Sequence, residues 1–145
     1  VLTLDHSRRL KLAGGEIRIH ADRHDSEGQL ELFEFIVPPT YPGPARHVHR
    51  KSDELFIILE GQGRFELGSE VVYARAGDRV LVHRGVVHAF RNAGDANLRM
   101  LCAFTPAIGM AEYFPRLVDL LKRTDGRPTG EEMIALWERF DTLPG

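Results

Sequence analysis

Chemistry in this chain is suggested first by His47-Val48-His49. Two residues apart on a strand, the two side chains leave the same face, with Cα atoms ~6.5–7 Å apart. Both imidazoles can then converge on one ion at the ~2.0–2.1 Å of zinc–nitrogen bonds. Glu54 follows at the start of a dense apolar run, and a short turn would bring it back beside the pair. His88 opens another strand-like run after Gly85. Three imidazoles and a carboxylate suit one divalent iron, manganese, cobalt, nickel, copper or zinc ion. Taken singly, each of the four is more often a surface or core residue, and a His-x-His pair arises readily in a chain with seven histidines. Glu54 is the odd one, because a carboxylate opening so apolar a strand needs a partner once buried.

The elements that must position these residues read as strands first and helices last. From about residue 15 to 105, short apolar runs are broken by turn residues: Glu16–His20, Leu30–Val37, Glu54–Leu59, Arg64–Leu67, Val71–Tyr73, Arg79–His83, Val86–Phe90 and Leu98–Phe104. Closely spaced strands with no helices between them predict an all-β sandwich or barrel. Glu54–Leu59 and Leu98–Phe104 are apolar on both faces, so one face should line an interior and the other should meet a second layer or a partner subunit. After Pro106 the period becomes helical. Tyr113, Leu117, Leu120 and Leu121 end at the basic pair Lys122-Arg123, which suits a helix C-terminus. Pro115 is expected only in a first turn, which limits where this helix can begin. Thr129-Gly130-Glu131-Glu132 has capping-box spacing, and Met133, Leu136, Trp137 and Phe140 mark one apolar face behind it. Two such helices, over about 110–141, are expected to pack on the barrel or on a neighbouring subunit.

The glycines fall at offsets that carry a resemblance. The stretch from Gly43 through His47, His49 and Glu54 to Gly61 resembles the first motif of the cupin superfamily, G-x5-H-x-H-x3,4-E-x6-G. The stretch Gly77 to Asn92, with Gly85 and His88, resembles the second, G-x5-P-x-G-x2-H-x3-N. Fifteen residues separate the two. There are two departures: Gly43 stands four before His47 where the family has six, and His83 takes the usual proline position, where it is expected to be a turn residue. The resemblance implies a single cupin domain over 1–145, a double-stranded β-helix or jelly-roll barrel with two short C-terminal α-helices. It also implies the metal ligands His47, His49, Glu54 and His88, with Gly61, Gly77 and Gly85 at turns.

Composition removes several other classes. Lys plus Arg is 19 against 21 for Asp plus Glu, a net charge of −2, without the basic excess that phosphate contacts need. No nucleic-acid partner is therefore expected. The single cysteine, Cys102, excludes an intrachain disulfide and a Cys-rich zinc module. No apolar run approaches the ~20 residues of a membrane span. The run Val1–Arg9 lacks the basic-then-apolar order of a signal peptide, so no membrane association and a cytoplasmic location are expected.

The fold hosts many chemistries, so function must come from the site. The leading reading is a dioxygenase in the manner of small cupins resembling quercetin dioxygenase, acting on a small aromatic or enediol-like molecule. In it Glu54 serves as ligand and catalytic base. Counting inward by twos from the ligands, Phe56 and Phe90, with Met100 and Phe104 of the last strand, are expected to wall the substrate pocket. The alternatives are a non-redox metal-dependent isomerase, cyclase or lyase, and a small-molecule-binding cupin without turnover. A homodimer is expected, with the Leu55, Ile57, Leu59 face and the Trp137 helix covering apolar surface.

Overall fold

The computed structural model describes residues 8–145, so most of the N-terminal run read for a leader, residues 1–7, lies outside the described residues. Alternation along the strands decides the architecture. In β5 (Asp53–Glu60), Glu54, Phe56 and Ile58 are buried while Ile57 between them is 38% exposed. In β10 (Leu98–Thr105), Leu98, Met100, Cys102 and Phe104 are buried on the same rhythm. A period of two puts these residues on one face of a sheet, and two such faces meet as a jelly roll.

The first sheet has the order β1-β2-β3-β10-β5-β8, adding β1 (Arg8–Leu12), β2 (Gly15–Ala21), β3 (Glu31–Val37) and β8 (Arg79–Val82). The second has the order β11-β4-β9-β6-β7, built from β4 (His47–Val48), β6 (Gln62–Leu67), β7 (Glu70–Arg75), β9 (His88–Asn92) and β11 (Leu143–Pro144). All pairings are antiparallel, and β10 lies between β3 and β5, with Phe104 opposite both Glu31 and Glu54. In the second sheet His47 is directly opposite His88. One sheet therefore supplies the carboxylate and the other two of the imidazoles. His83 is an exposed turn residue just past β8, where its carbonyl accepts from Val86 N–H.

Two helices follow, α1 (Met110–Arg123) and α2 (Gly130–Glu138), and both pack on the barrel of their own chain. Phe114 meets Phe33 and Phe35 edge-on, with ring centroids 5.2 and 5.6 Å apart. Thr129 caps α2 through the reciprocal bonds with Glu132 that its spacing predicts. The start of α1 corrects the expectation for Pro115, which lies in the second turn, not the first. The reason is a buried carboxylate. Glu31, fully enclosed at the start of β3, accepts from the N–H groups of Ile108, Gly109, Met110 and Ala111 at 2.8–3.0 Å. Three of these, from Gly109 to Ala111, are donors a helix start leaves unpaired, and their anchorage fixes the helix beginning at Met110 despite the bond that Pro115 omits.

After α2 the chain reverses at Asp141, in the left-handed region at φ 49°, and lays β11 against β4, with Leu143 opposite Val48 and Pro144 opposite His47. Neither β1 nor β11 is expected from sequence: β1 reads Arg-Arg-Leu-Lys-Leu and β11 is two residues ending in proline. The displaced Gly43 keeps a steric role. At φ 87° it passes so close to Phe90 that a Cβ would stand 1.9 Å from its carbonyl oxygen.

Candidate metal centre

His47, His49, Glu54 and His88 converge inside the barrel. All four are buried, and one ligand atom from each lies within 4.8 Å of the others. Donors on one ion at ~2.1 Å stand up to ~4.2 Å apart, so the cluster is close to the span a common ion imposes. His88 Nε2 is 2.8 Å from Glu54 Oε2, and His49 Nε2 is 3.7 Å from the same oxygen.

The far side of each ring is already committed. His47 Nδ1 donates to the Ala45 carbonyl at 2.8 Å, His88 Nδ1 to that of Val86 at 2.9 Å, and His49 Nδ1 to that of Asp141 at 2.8 Å. A carbonyl can only accept, so each Nδ1 carries the proton and each Nε2 is the atom left for a metal. The Asp141 bond comes from the turn before β11, and the Asp141 carboxylate also accepts from Lys51 N–H at 2.7 Å. The C-terminal strand thus braces the His-x-His segment from outside, while Gly85 N–H bonds the His49 carbonyl at 2.7 Å.

Electrostatics fit the same arrangement. Burial, joined by the charge of His88, pulls His47 down to about 4, so at neutral pH it is the uncharged imidazole a metal requires. Burial alone would raise Glu54. The hydrogen bond and charge of His88, with the charges of His49 and His47, overcome it and bring the carboxyl to about 2. Burial lowers His88, but its bond to Glu54 outweighs this and lifts it above the usual value. With Nδ1 on a carbonyl, the His88–Glu54 contact places a proton where an ion would sit. Three neutral-capable imidazoles and one carboxylate of this geometry fit a divalent first-row metal.

Glu54 has a second partner. The Cys102 thiol donates to Oε1 at 3.0 Å, leaving Oε2 toward the histidines. Burial, with the adjacent Glu54 charge, pushes this thiol well above its ordinary pKa, so it stays a donor.

A cavity of about 100 Å³ opens on His47, His49 and Glu54. Phe90 and Phe104 line it. Phe56 and Met100 share the inward face but are wholly buried in the core and do not reach it. Alternation gives the face of a residue, not its depth. Sequence reasoning did not place Tyr113, Phe114, Leu117 or Trp137 here, yet α1 and α2 contribute all four to the wall. Their helical periodicity marks them as an apolar stripe without saying what the stripe covers. Among the described residues the cavity lining contains no Lys or Arg; its acidic residues are Glu54 and, at the β2 start, Glu16, whose carboxylate is paired with Lys11 and Arg18.

The family model described as "Cupin domain" matches residues 33–104. An uncharacterized protein of Methanocaldococcus jannaschii is 33% identical over 60 residues, which is 41% of this chain and 48% of that one. An uncharacterized protein of Aquifex aeolicus is 31% identical over 61 residues, 42% of this chain and 50% of that one. The match thus spans about half the length of these curated relatives. Among solved structures, oxalate decarboxylase of Lactobacillus farciminis, as its formate complex, superposes with a TM-score of 0.63 at 18% identity, over 73% of this chain and 33% of that one. Pac13, a nucleoside dehydratase, gives 0.59 at 20%, over 77% of this chain and 85% of that one. A Klebsiella pneumoniae protein with a double-stranded β-helix domain gives 0.60 at 17%, over 75% and 91%. Likeness at this identity establishes the fold alone.

Proposed function

From the premise that residues 33–104 of this chain are a cupin domain, we propose that the protein is a metal-dependent, dioxygenase-type oxidoreductase acting on a small aromatic or enediol-like molecule. The observation that carries this reading is the union of two features. A His₃–Glu cluster with every Nδ1 fixed on a main-chain carbonyl stands at one end of a cavity walled by aromatic side chains. His47, His49, Glu54 and His88 would hold one divalent ion. When bound, such an ion supplies Lewis acidity toward an enol or phenol oxygen, and a redox-active one also supplies electron transfer to oxygen.

The chain's own groups do the rest. The carbonyls of Ala45, Val86 and Asp141 keep the three rings in one tautomer and orientation. Cys102 holds Glu54 Oε1, so the carboxylate faces the site through Oε2. Phe90, Phe104 and Phe114 exclude water and offer faces and edges to a flat substrate. As a base Glu54 is weak while its imidazole contacts persist, since they hold it near 2. Taking a substrate proton at Oε2 requires the carboxylate to swing away from His88.

The test joins metal content of the purified protein to oxygen consumption with a panel of small aromatic and enediol compounds. Bound iron or nickel with oxygen uptake is the expected result. Turnover without oxygen selects the isomerase, cyclase or lyase alternative, and binding without turnover selects a binding module. Glu54→Gln should lower turnover far more than metal occupancy. A parallel fall in both would make Glu54 a ligand only.

A further inference from the structure

Selectivity for the bound molecule depends on what the cavity wall offers besides apolar surface. Tyr113 of α1 lines the cavity and is 8% exposed. Its hydroxyl oxygen accepts from Trp137 Nε1 of α2 at 3.0 Å, a bond between two buried side chains. The hydroxyl's own proton meets no protein acceptor among the described residues. Burial pushes Tyr113 up to about 12, so at neutral pH the group is a phenol with a proton to give. Accepting from the indole also polarises its O–H bond and makes it a better donor. Trp137 in turn stands beside the metal cluster, its ring centroid 6.1 Å from that of His47. A donor without an acceptor, on a residue that lines an apolar cavity, is left to be satisfied by what enters it.

Charge narrows the class. A phosphate or a dicarboxylate needs cationic partners once desolvated. Here, among the described residues, the lining holds no Lys or Arg, and the Glu16 carboxylate is already paired with Lys11 and Arg18. A metal ion would be the site's one cationic group, enough for a single anionic oxygen or oxygen pair. Size narrows it further: a cavity on the order of 150 Å³ takes one benzene-sized ring, and this one, at about 100 Å³, has room for no more than one ring, with its substituents reaching beyond.

We infer that the ligand is a single-ring aromatic carrying a metal-binding enol or phenol oxygen at one end and an uncharged acceptor, a carbonyl or ether oxygen, at the other, and that Tyr113, held by Trp137, is the residue that reads this acceptor. Both residues belong to the C-terminal helices, outside the matched domain of residues 33–104, so specificity resides in a part of the chain separate from the metal ligands. The inference rests on the proposed function, in that the ring is taken to reach the metal.

Calorimetry on the zinc-loaded protein tests it without redox turnover, using catechol and 3,4-dihydroxyacetophenone as probes. The two share the metal-binding end and differ in the carbonyl. The wild type should bind the acetyl compound about 5- to 10-fold more tightly, the ratio expected of one net hydrogen bond. Tyr113→Phe should bring that ratio close to one while shifting catechol far less. Trp137→Phe, which keeps the phenol but frees it from its clamp, should reduce the ratio part of the way. An undiminished ratio in Tyr113→Phe overturns the reading of Tyr113 and leaves the metal-and-aromatic site standing. Failure of both probes to bind the zinc-loaded wild type overturns the inference together with the proposed function.

Discussion

Cys102 shows how much one buried side chain can decide. Its thiol occupies Glu54 Oε1, so a metal would meet the carboxylate through a single oxygen. Cys102→Ala releases Oε1, and both oxygens can then share the ion. The expected outcome, read in the cobalt-substituted protein, is full metal stoichiometry with a weaker visible absorption, as coordination number rises. Cys102→Ser retains a donor and should restore the wild-type spectrum. Identical spectra for all three proteins would remove Cys102 from the metal's environment. The four candidate ligands were legible at this scale because side-chain identity and spacing carry them. Their supports were not, because two of the three Nδ1 partners belong to an alanine and a valine, and all three are main-chain oxygens.

Between elements, the Glu31 carboxylate joins β3 to the start of α1. Glu31→Ala strands three buried N–H groups and a half-buried fourth, and a buried charge–dipole network lost on one side costs about 3–5 kcal/mol. Urea denaturation should show a loss in that range. Glu31→Gln should recover only part of it, since an amide NH₂ faces donors where the carboxylate accepted. A milder connection ties the turn after β8 to β5: Arg84 donates from its backbone N–H at 2.8 Å and from its guanidinium at 3.1 and 3.2 Å to Asp53. These bonds hold Asp53 at about 2, below the ~3.9 of an unfolded Asp. The stability they add is therefore fully present above about pH 4 and is lost as pH falls toward 2. The pair is largely exposed, so Asp53→Asn should cost at most about 1 kcal/mol at pH 7. Its stability difference from the wild type should close in acid, as urea midpoints measured from pH 7 to 2 would record. Strands β2, β3 and β5 to β10 were legible through alternation and turn residues. Edge strand β1, with three charges in five residues, and the two-residue β11 carry no such rhythm, since pairing alone makes them strands.

At the scale of the whole molecule, part of the outer face of the first sheet is left uncovered by the described residues. Leu81, Leu55, Ala103 and Leu32 lie side by side across β8, β5, β10 and β3, with Ile57 38% and Leu81 49% exposed. Contiguous apolar surface of this kind marks an association face, and the expected outcome is a homodimer. Sedimentation velocity at micromolar concentration should give twice the 16.4 kDa chain mass, and Ile57→Asp with Leu81→Arg should return the single chain. A wild-type particle of 16.4 kDa would remove the dimer. Among the described residues no helix is long and apolar enough to cross a membrane. The folding of α1 and α2 over the cavity was the least legible feature at this scale, because a stripe such as Tyr113, Leu117 and Leu120 fits any apolar surface equally well.

The carbonyls that hold the three histidines have a consequence for how such a chain can evolve. A main-chain oxygen survives almost any codon change, so the tautomers of His47, His49 and His88 are inherited with the backbone. Drift can erode the ligands themselves, or a position such as Gly43 where only the smallest residue passes, but it finds few side chains through which to detune the metal gradually. Tyr113 and Trp137 lie under the opposite rule, each exchangeable by a single substitution. A lineage descended from this chain is thus free to try new ligands on its helices while its metal chemistry is passed on intact.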